Sequence, residues 1–420
     1  MRFFLQTFGC TLNQSDGDAM RTLLLQSGAS EAGEREADVV VLNTCAVKRA
    51  TEQKIAERMR RVVASGKPLV VAGCLPASNR RLVEKIAPQA CLVGPGAVLR
   101  IPEAVRAACA GQRVVFLGWN GKEGVPFVPS PPIARIPISE GCLSACAFCA
   151  TKLARPALRS YSPQRIIERL RACAEAGVLE VQLTAQDVGA YGRDRGTNLE
   201  ELMADIVSTF AHAPFRVRLG MINPEHALMM EQLPSLLAAE PFYHFLHLPI
   251  QSGSDGILEA MGRRYTVREF EKIVAAFRAR IPALTLATDI ICGYPGESEE
   301  DFAATLALLE RVRPDVVNVS RFSPRPGTSA ASMPQLPTDI INERTRKASE
   351  LARAISHRKN LAWVGKTVEC VVLERARTPV ARTRAYKHIA LAKGEIGERV
   401  LAEITGASSS CLKGEVRQRL

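Results

Sequence analysis

The chain is predicted to be a three-part α/β protein: an N-terminal open parallel-sheet domain (residues 1–123), a central (βα)6 partial TIM barrel (133–361) and a C-terminal small antiparallel β-barrel (364–420). Three observations predict this. Strand-then-helix patterns fill the first part. Six more such units follow a proline-rich break. Beyond residue 363, helical periodicity gives way to glycine-punctuated β-type runs.

In the first part the apolar runs Phe3-Phe4-Leu5, Val39-Val40-Val41-Leu42 and Leu69-Val70-Val71 read as strands, and Asp16 to Leu25 and Ala50 to Val63 as helices. Residues 124–132 hold four prolines in nine positions, which can continue neither a helix nor a central strand, so they read as a semi-rigid linker. The expected barrel strands are Ala134–Ser139, Glu180–Thr184, Arg216–Gly220, Phe245–Ile250, Leu284–Ile291 and Val316–Ser320. Such folds place their chemistry in loops at the C-terminal ends of strands. In the tail, Thr367–Leu373 and Arg399–Ile404 are β-type.

At 420 residues the chain exceeds one ordinary domain, and 47% apolar with 23% charged residues is a globular composition. No apolar run approaches the roughly 20 residues needed to span a bilayer. The start, MRFFLQTFGC, has neither a cleavable signal nor an Arg/Ser-rich presequence. A cytoplasmic protein with no membrane partner is expected. The net charge of +12 suits a polyanionic partner. The tail carries eleven Lys/Arg against six Asp/Glu, densest at Arg375, Arg377, Arg382, Arg384 and Lys387 around Tyr386. Arginines with an interleaved aromatic suit phosphate contact and base stacking, so Arg382, Arg384 and Lys387 are candidate nucleic-acid contacts. A solvated basic loop is the competing reading.

Twelve cysteines in a chain without an export signal point to metal or redox work rather than disulfides. Cys142, Cys146 and Cys149 lie within eight residues after a predicted strand. One loop of this spacing can ligate three irons of a cubane cluster, leaving the fourth open. An open iron can chelate the amino and carboxylate groups of S-adenosylmethionine and deliver an electron, giving a radical that abstracts hydrogen from unreactive C–H bonds. A zinc site is the alternative, although zinc favours paired CxxC knuckles.

Cys10, Cys45 and Cys74 lie far apart, but each follows a predicted strand and has small or polar neighbours (Gly9, Asn43, Thr44, Gly73). Spacings of 35 and 29 residues fit successive strand–helix–strand units, whose parallel strands would deliver all three thiols to one sheet edge. A second three-ligand cluster is expected there; three routine buried thiols are the alternative. Cys173 falls on the apolar face of a helix expected over Pro163–Gly177, and Cys91, Cys109, Cys292, Cys370 and Cys411 show no shared setting. In the barrel, Gln186, Gln251 and Ser252 at strand ends are candidate cofactor contacts. Asp289 among apolar residues must be paired, for structure or for function, and His244 and His247 suit packing or a backbone hydrogen bond.

The segments NTCAVKRATEQK (43–54), VVAGCLP (70–76), ISEGCLSACAFC (138–149), LTAQDVGAYG (183–192), HLPIQSGSDGILEAMGRRY (247–265), TDIICGYPGESEEDF (288–302) and SRFSPRPGTSA (320–330) together make the chain resemble the methylthiotransferases along nearly its whole length. NTCAVK with TEQK, RLGMINPEH (218–226) and RTRAYKH (382–388) resemble most the archaeal and eukaryotic-type tRNA N6-threonylcarbamoyladenosine enzymes. The resemblance implies a methylthiotransferase domain, a radical S-adenosylmethionine (SAM) barrel and a nucleic-acid-binding TRAM domain, in that order. It implies two [4Fe–4S] clusters, with Cys142, Cys146 and Cys149 catalytic at the radical-generating one and Cys10, Cys45 and Cys74 on the auxiliary, sulfur-supplying one. It further implies S-adenosylmethionine as cofactor, an electron donor, a sulfur source, and ANN-decoding tRNA bearing N6-threonylcarbamoyladenosine as substrate, modified at C2 of the base at position 37. Relatives act on N6-isopentenyladenosine in tRNA or on a ribosomal-protein aspartate, which are the alternative substrates; a non-catalytic RNA-binding zinc protein is the alternative of another class. Arg155-Pro156 departs from the Arg-Gly usual in relatives, and a proline there reshapes the loop.

Overall fold

The computed structural model describes residues 1–122 and 124–420; Glu123, the expected end of the first domain, lies outside the described residues. Compactness divides the chain into two units that cut across the sequence segments. The first joins Met1–Val128 with Glu140–Tyr161 and Ser323–Ala331. The second joins Pro129–Ser139, Ser162–Phe322 and Ser332–Leu420.

The first unit is built on strands β1 (Arg2–Thr7), β2 (Ser30–Glu31), β3 (Val39–Thr44), β4 (Leu69–Gly73), β5 (Cys91–Val93) and β6 (Val115–Phe116), with helices α1 (Thr11–Gln26), α2 (Arg49–Ala64) and α3 (Cys74–Ser78) between them. The sheet order is β2-β1-β3-β4-β5-β6, and every pairing is parallel. A parallel sheet is covered on both faces, so its central strands are apolar throughout. Val39, Val41, Val70 and Ala72 bury one face with α1, and Val40, Leu42 and Val71 bury the other with α2.

The second unit holds β7 (Ile133–Pro137), β8 (Glu180–Thr184), β9 (Arg216–Leu219), β10 (Phe245–His247), β11 (Thr285–Cys292) and β12 (Val316–Arg321). They form two three-stranded parallel sheets in chain order. The sheets are linked by Ile222 N–H donating to His247 O at 3.0 Å and by a Val217–Phe242 bridge. Consecutive parallel neighbours of this kind are the partial barrel expected from the sequence. β10 ends three residues before the expected Ile250. Leu248 N–H still reaches Ala287 O at 2.9 Å, but Pro249 has no N–H to continue the ladder. Ile250 N–H turns instead to Thr288 Oγ1 at 3.1 Å.

The tail forms a closed barrel of β13 (Thr367–Arg375), β14 (Pro379–Thr383), β15 (His388–Leu391), β16 (Arg399–Ala407) and β17 (Leu412–Arg419), in the order β13-β14-β15-β17-β16. Every pairing is antiparallel except β15 with β17. Val372, Ala381, Ile389, Val400 and Ile404 fill its interior. No helix among the described residues is long and apolar enough to cross a membrane.

Candidate metal centre

β1, β3 and β4 are adjacent and parallel, with Thr7 opposite Asn43 and Thr44 opposite Gly73. The residues just past their C-terminal ends therefore share one edge, and Cys10, Cys45 and Cys74 stand there. Gly9 is held at φ 107°, and a Cβ on it would come within 2.6 Å of Cys45 Cβ, so the first cysteine turn closes directly on the second. Burial pushes the Cys45 thiol up to about 11, and the neighbouring Cys10 and Cys74 thiols add to the rise. Val47 N–H donates to Cys45 Sγ at 3.4 Å. Burial also raises Cys74, against the pull of the Arg155 guanidinium, which donates to it.

The buried face of α1 lines the same place. Asn13 donates to Phe8 O at 2.6 Å, and Asn43 donates to Asn13 O at 2.7 Å. Their carbonyl oxygens, Asn13 Oδ1 and Asn43 Oδ1, are buried and have no hydrogen-bond partner. One turn farther along, Asp16 enters a closed ring of four buried charges. Lys122 Nζ donates to Asp16 Oδ1 at 2.6 Å and forms an ion pair with Glu140, while Arg155 donates to Asp16 Oδ2 at 2.5 Å and to Glu140 Oε2 at 2.6 Å. Every side chain in the ring is at most 7% exposed. Burial opposes the charge on Asp16, yet Lys122 and Arg155 hold its carboxyl below the ordinary range. Burial likewise opposes the charge on Arg155, but Asp16, Cys74 and Glu140 hold its guanidinium well above its usual pKa.

Cys142, Cys146 and Cys149 lie half-buried in the irregular loop that follows Glu140. Ser144 N–H donates to Cys142 Sγ at 3.4 Å, Cys149 N–H to Cys146 O at 3.1 Å, and Lys152 Nζ to Cys142 O. The loop continues into a short helix, Thr151–Ala154, that packs on α3, with Ala154 against Cys74 and Ala46. The structure thus brings Cys10, Cys45 and Cys74 together from three strands and places the loop of the other three cysteines in the same compact unit. Among the described residues, no three His, Cys, Asp or Glu side chains are grouped as ligands of one metal ion. Thiolates on a cubane bind different corners, so they stand farther apart than the ligands of a single ion. The donor chemistry fits an iron–sulfur cluster: each triad offers soft thiols. At the strand edge Cys45 and Cys74 are buried and Cys10 is exposed, and a bound metal would hold the buried pair as thiolates against the rise that burial imposes.

In the second unit, Gln186 follows β8 and is half-buried. Gln251 is buried with φ 73°, a left-handed conformation that costs a glutamine about 1–3 kcal/mol. Its backbone is clamped to β11, donating to Asp289 O at 2.8 Å and accepting from Ile291 N–H at 2.9 Å. Ser252 is turned inward: its Oγ accepts from Ser254 N–H at 3.2 Å and lies 3.4 Å from Thr305 Oγ1. Asp289 is paired, with His247 Nε2 at 3.0 Å and Asn318 Nδ2 at 2.7 Å. His244 Nε2 meets Ala238 O at 3.3 Å. Sequence reasoning missed a further pair, Asp187 and His226. Asp187 Oδ2 is 2.7 Å from His226 Nδ1, while its other oxygen accepts from Gly189 and Asn223 N–H at 3.0 and 3.1 Å. The signal was available, since both residues follow the C-terminal ends of adjacent strands.

The expectation for the basic tail is corrected at two positions. Arg382 is buried and bonded to Glu180 at 2.8 Å and to Glu374. Lys387 is buried and bonded to Asp315 at 2.8 Å. In the fold both charges face carboxylates. Arg384 is half-exposed and paired with Glu240 at 3.0 Å. Tyr386, expected to stack on a base, instead packs between Tyr243 and Phe245 with ring centroids 4.9 and 4.8 Å away. This turn meets the barrel at Glu180, Phe245 and Asp315, at the N-terminal ends of β8, β10 and β12, opposite the end where such folds carry ligands. Of the remaining cysteines, Cys91, Cys173, Cys292 and Cys370 are buried, Cys109 is exposed and Cys411 half-buried.

Residues 136–309 match the family model of the radical SAM superfamily, and residues 2–94 match that described as uncharacterized protein family UPF0004. A protein of Pyrococcus horikoshii named probable threonylcarbamoyladenosine tRNA methylthiotransferase is 42% identical, with 99% of each chain covered. The threonylcarbamoyladenosine tRNA methylthiotransferase of Drosophila melanogaster is 35% identical over 99% of this chain and 77% of its own. Among solved structures, the radical S-adenosylmethionine methyltransferase TsrM of Kitasatospora setae superimposes with a TM-score of 0.57 at 16% identity, covering 79% of this chain and 74% of that one. That likeness concerns the fold alone. The full-length identities, together with the radical SAM match, assign the chain to the threonylcarbamoyladenosine tRNA methylthiotransferase family of radical SAM proteins.

Proposed function

We propose that this protein converts N6-threonylcarbamoyladenosine at position 37 of ANN-decoding tRNAs to its 2-methylthio derivative. Membership of the radical SAM superfamily implies S-adenosylmethionine and a [4Fe–4S] cluster. In this reading Cys142, Cys146 and Cys149 hold that cluster, and Cys10, Cys45 and Cys74 hold a second one. When bound, the first supplies the electron that cleaves S-adenosylmethionine to a radical able to take hydrogen from C2 of the adenine, and the second supplies sulfur. The observation that carries the reading is the meeting of Cys10, Cys45 and Cys74 at one strand edge, in a chain similar from end to end to relatives named for this activity.

The chain's own residues set the conditions. Burial of Cys45 and Cys74 excludes water, and the Val47 amide and Arg155 supply donors to their sulfurs. The strained Gln251 stands just past a strand end, and such strain persists where the surroundings over-determine it, often at ligand sites. Ser252, bonded inward, orders that turn rather than reaching out. Gln186 and Gln251 remain the proposed cofactor contacts.

The deciding experiment is nucleoside mass spectrometry of tRNA from a deletion strain. Loss of 2-methylthio-N6-threonylcarbamoyladenosine, with its precursor retained, is expected; an unchanged level would refute the substrate. Anaerobically purified protein should carry about eight irons per chain, as two cubanes require. Zinc without iron would refute the enzyme reading.

A further inference from the structure

Two buried arginines, one just beyond the Cys142–Cys149 motif and one within SRFSPRPGTSA, have a part in the site that ligation does not explain. Arg155 lies six residues beyond Cys149, and Arg325 sits in the SPRPGT segment far down the chain. Each reaches away from its own neighbourhood. Arg325 is 7% exposed and donates to Ala46 O, next to Cys45, at 2.5 Å and to Glu52 of α2 at 3.0 Å. Five residues on, Ala330 N–H donates to Ala147 O at 2.9 Å, between Cys146 and Cys149. Segment 323–331 is therefore tied at one end to the Cys45 loop and at the other to the Cys146–Cys149 loop.

Arg155 makes the reciprocal tie. It leaves the loop of Cys142, Cys146 and Cys149, bonds Asp16 on α1 and Glu140 two residues before Cys142, and donates to Cys74. Gly141 shows how closely that turn is held: a Cβ there would lie 1.9 Å from Ala157 O. A planar guanidinium suits this task, because its rigid fork meets two carboxylates in fixed directions.

We infer that Arg155 and Arg325 are positioning residues that clasp the two cysteine triads into one cooperative element, so that order in one loop is transmitted to the other. Its use in catalysis rests on the two-cluster reading, but the clasp itself is a property of the polypeptide.

Hydrogen exchange of the full chain, stripped of metal under anaerobic conditions, tests it. Arg325→Gln should speed exchange about tenfold at Val47, whose N–H belongs to the same peptide group as the Ala46 O that Arg325 holds, and equally at Cys149 and Ala330, to which it makes no hydrogen bond, while Leu92 in β5 stays unchanged. Arg155→Gln should do the same at Asn79, whose N–H donates to Leu75 O at 2.8 Å, and at Ser144. Arg325→Lys, which keeps the charge, should restore part of the protection in both loops. Faster exchange confined to the loop touching the mutated arginine would overturn the inference, as would uniform acceleration that includes β5. Iron analysis of the unstripped wild-type protein separately tests whether the triads hold clusters, so the two ideas fail by different results.

Discussion

Arg382→Ala separates two opposite roles for the basic tail. In the structure the guanidinium is 6% exposed, 2.8 Å from Glu180, whose side chain is fully buried, and its carbon lies 5.2 Å from the Tyr386 ring centroid. Truncation leaves the Glu180 carboxylate without that cation; Tyr386 Oη, 3.3 Å away, remains as a donor to it. Stranding a buried charge costs about 3–5 kcal/mol. The stacked cation adds about 1 kcal/mol. At about 2–4 °C per kcal/mol, the melting temperature should fall by roughly 10 °C or more. The companion assay is tRNA binding over a range of salt. Each phosphate contact contributes about 0.7–0.9 to the slope of log K against log salt. If Arg382 is structural, the slope is unchanged at a temperature where the variant is folded. In exposed Arg377 or Lys413 of the same barrel, alanine should lower that slope. An Arg382→Ala protein of normal stability with a slope reduced by about one would refute the reasoning.

Further expectations bear on the cysteine sites and on pH. Gly9→Ala combines a φ of 107° with a Cβ only 2.6 Å from Cys45 Cβ, so iron should drop from about eight to about four per chain while the chain still folds. Cys142→Ala should abolish cleavage of S-adenosylmethionine, whereas Cys45→Ala should leave cleavage but stop sulfur insertion; intact sulfur insertion in Cys45→Ala would end the two-cluster division of labour. Burial, with Arg382 beside it, holds His388 below its usual pKa, and burial with Arg384 does the same for His244. The unfolded chain then binds more protons below about pH 6.5, so stability should decline as pH falls through that value. His388→Asn should flatten the decline in denaturant midpoint, and an unaltered pH dependence would count against this origin. Burial opposes the charge on Asp315, but Lys387 and Lys359 hold its carboxyl below the ordinary range. Its contribution should be present above the ordinary carboxylate pKa and disappear as pH falls below it, a loss that Asp315→Asn removes.

Several features were legible in the residues because they are local. The apolar runs at 39–42 and 69–71 became central strands since β-branched residues buried on both faces suit a parallel sheet. The recurrence of strand, small residue and cysteine predicted the meeting of Cys10, Cys45 and Cys74, because parallel strands bring their C-terminal ends to one edge. The end of β10 was misjudged by three residues, although Pro249, which ends it, stood in the sequence.

Other features depended on which distant residues meet. Nothing near Arg155 in the chain names Asp16 as its partner, and nothing near Arg325 names Ala46. The basic run 382–387 carries the composition of a phosphate-binding turn, and only the fold put Glu180 and Asp315 against it. The sequence alone determined which segments become strands and which thiols stand at strand ends, because hydrophobic period and turn chemistry act within a few residues. Only the tertiary structure decided which charges are spent inside the protein, because a charge is neutralised by whatever carboxylate the packed chain brings to it, however far away in the sequence.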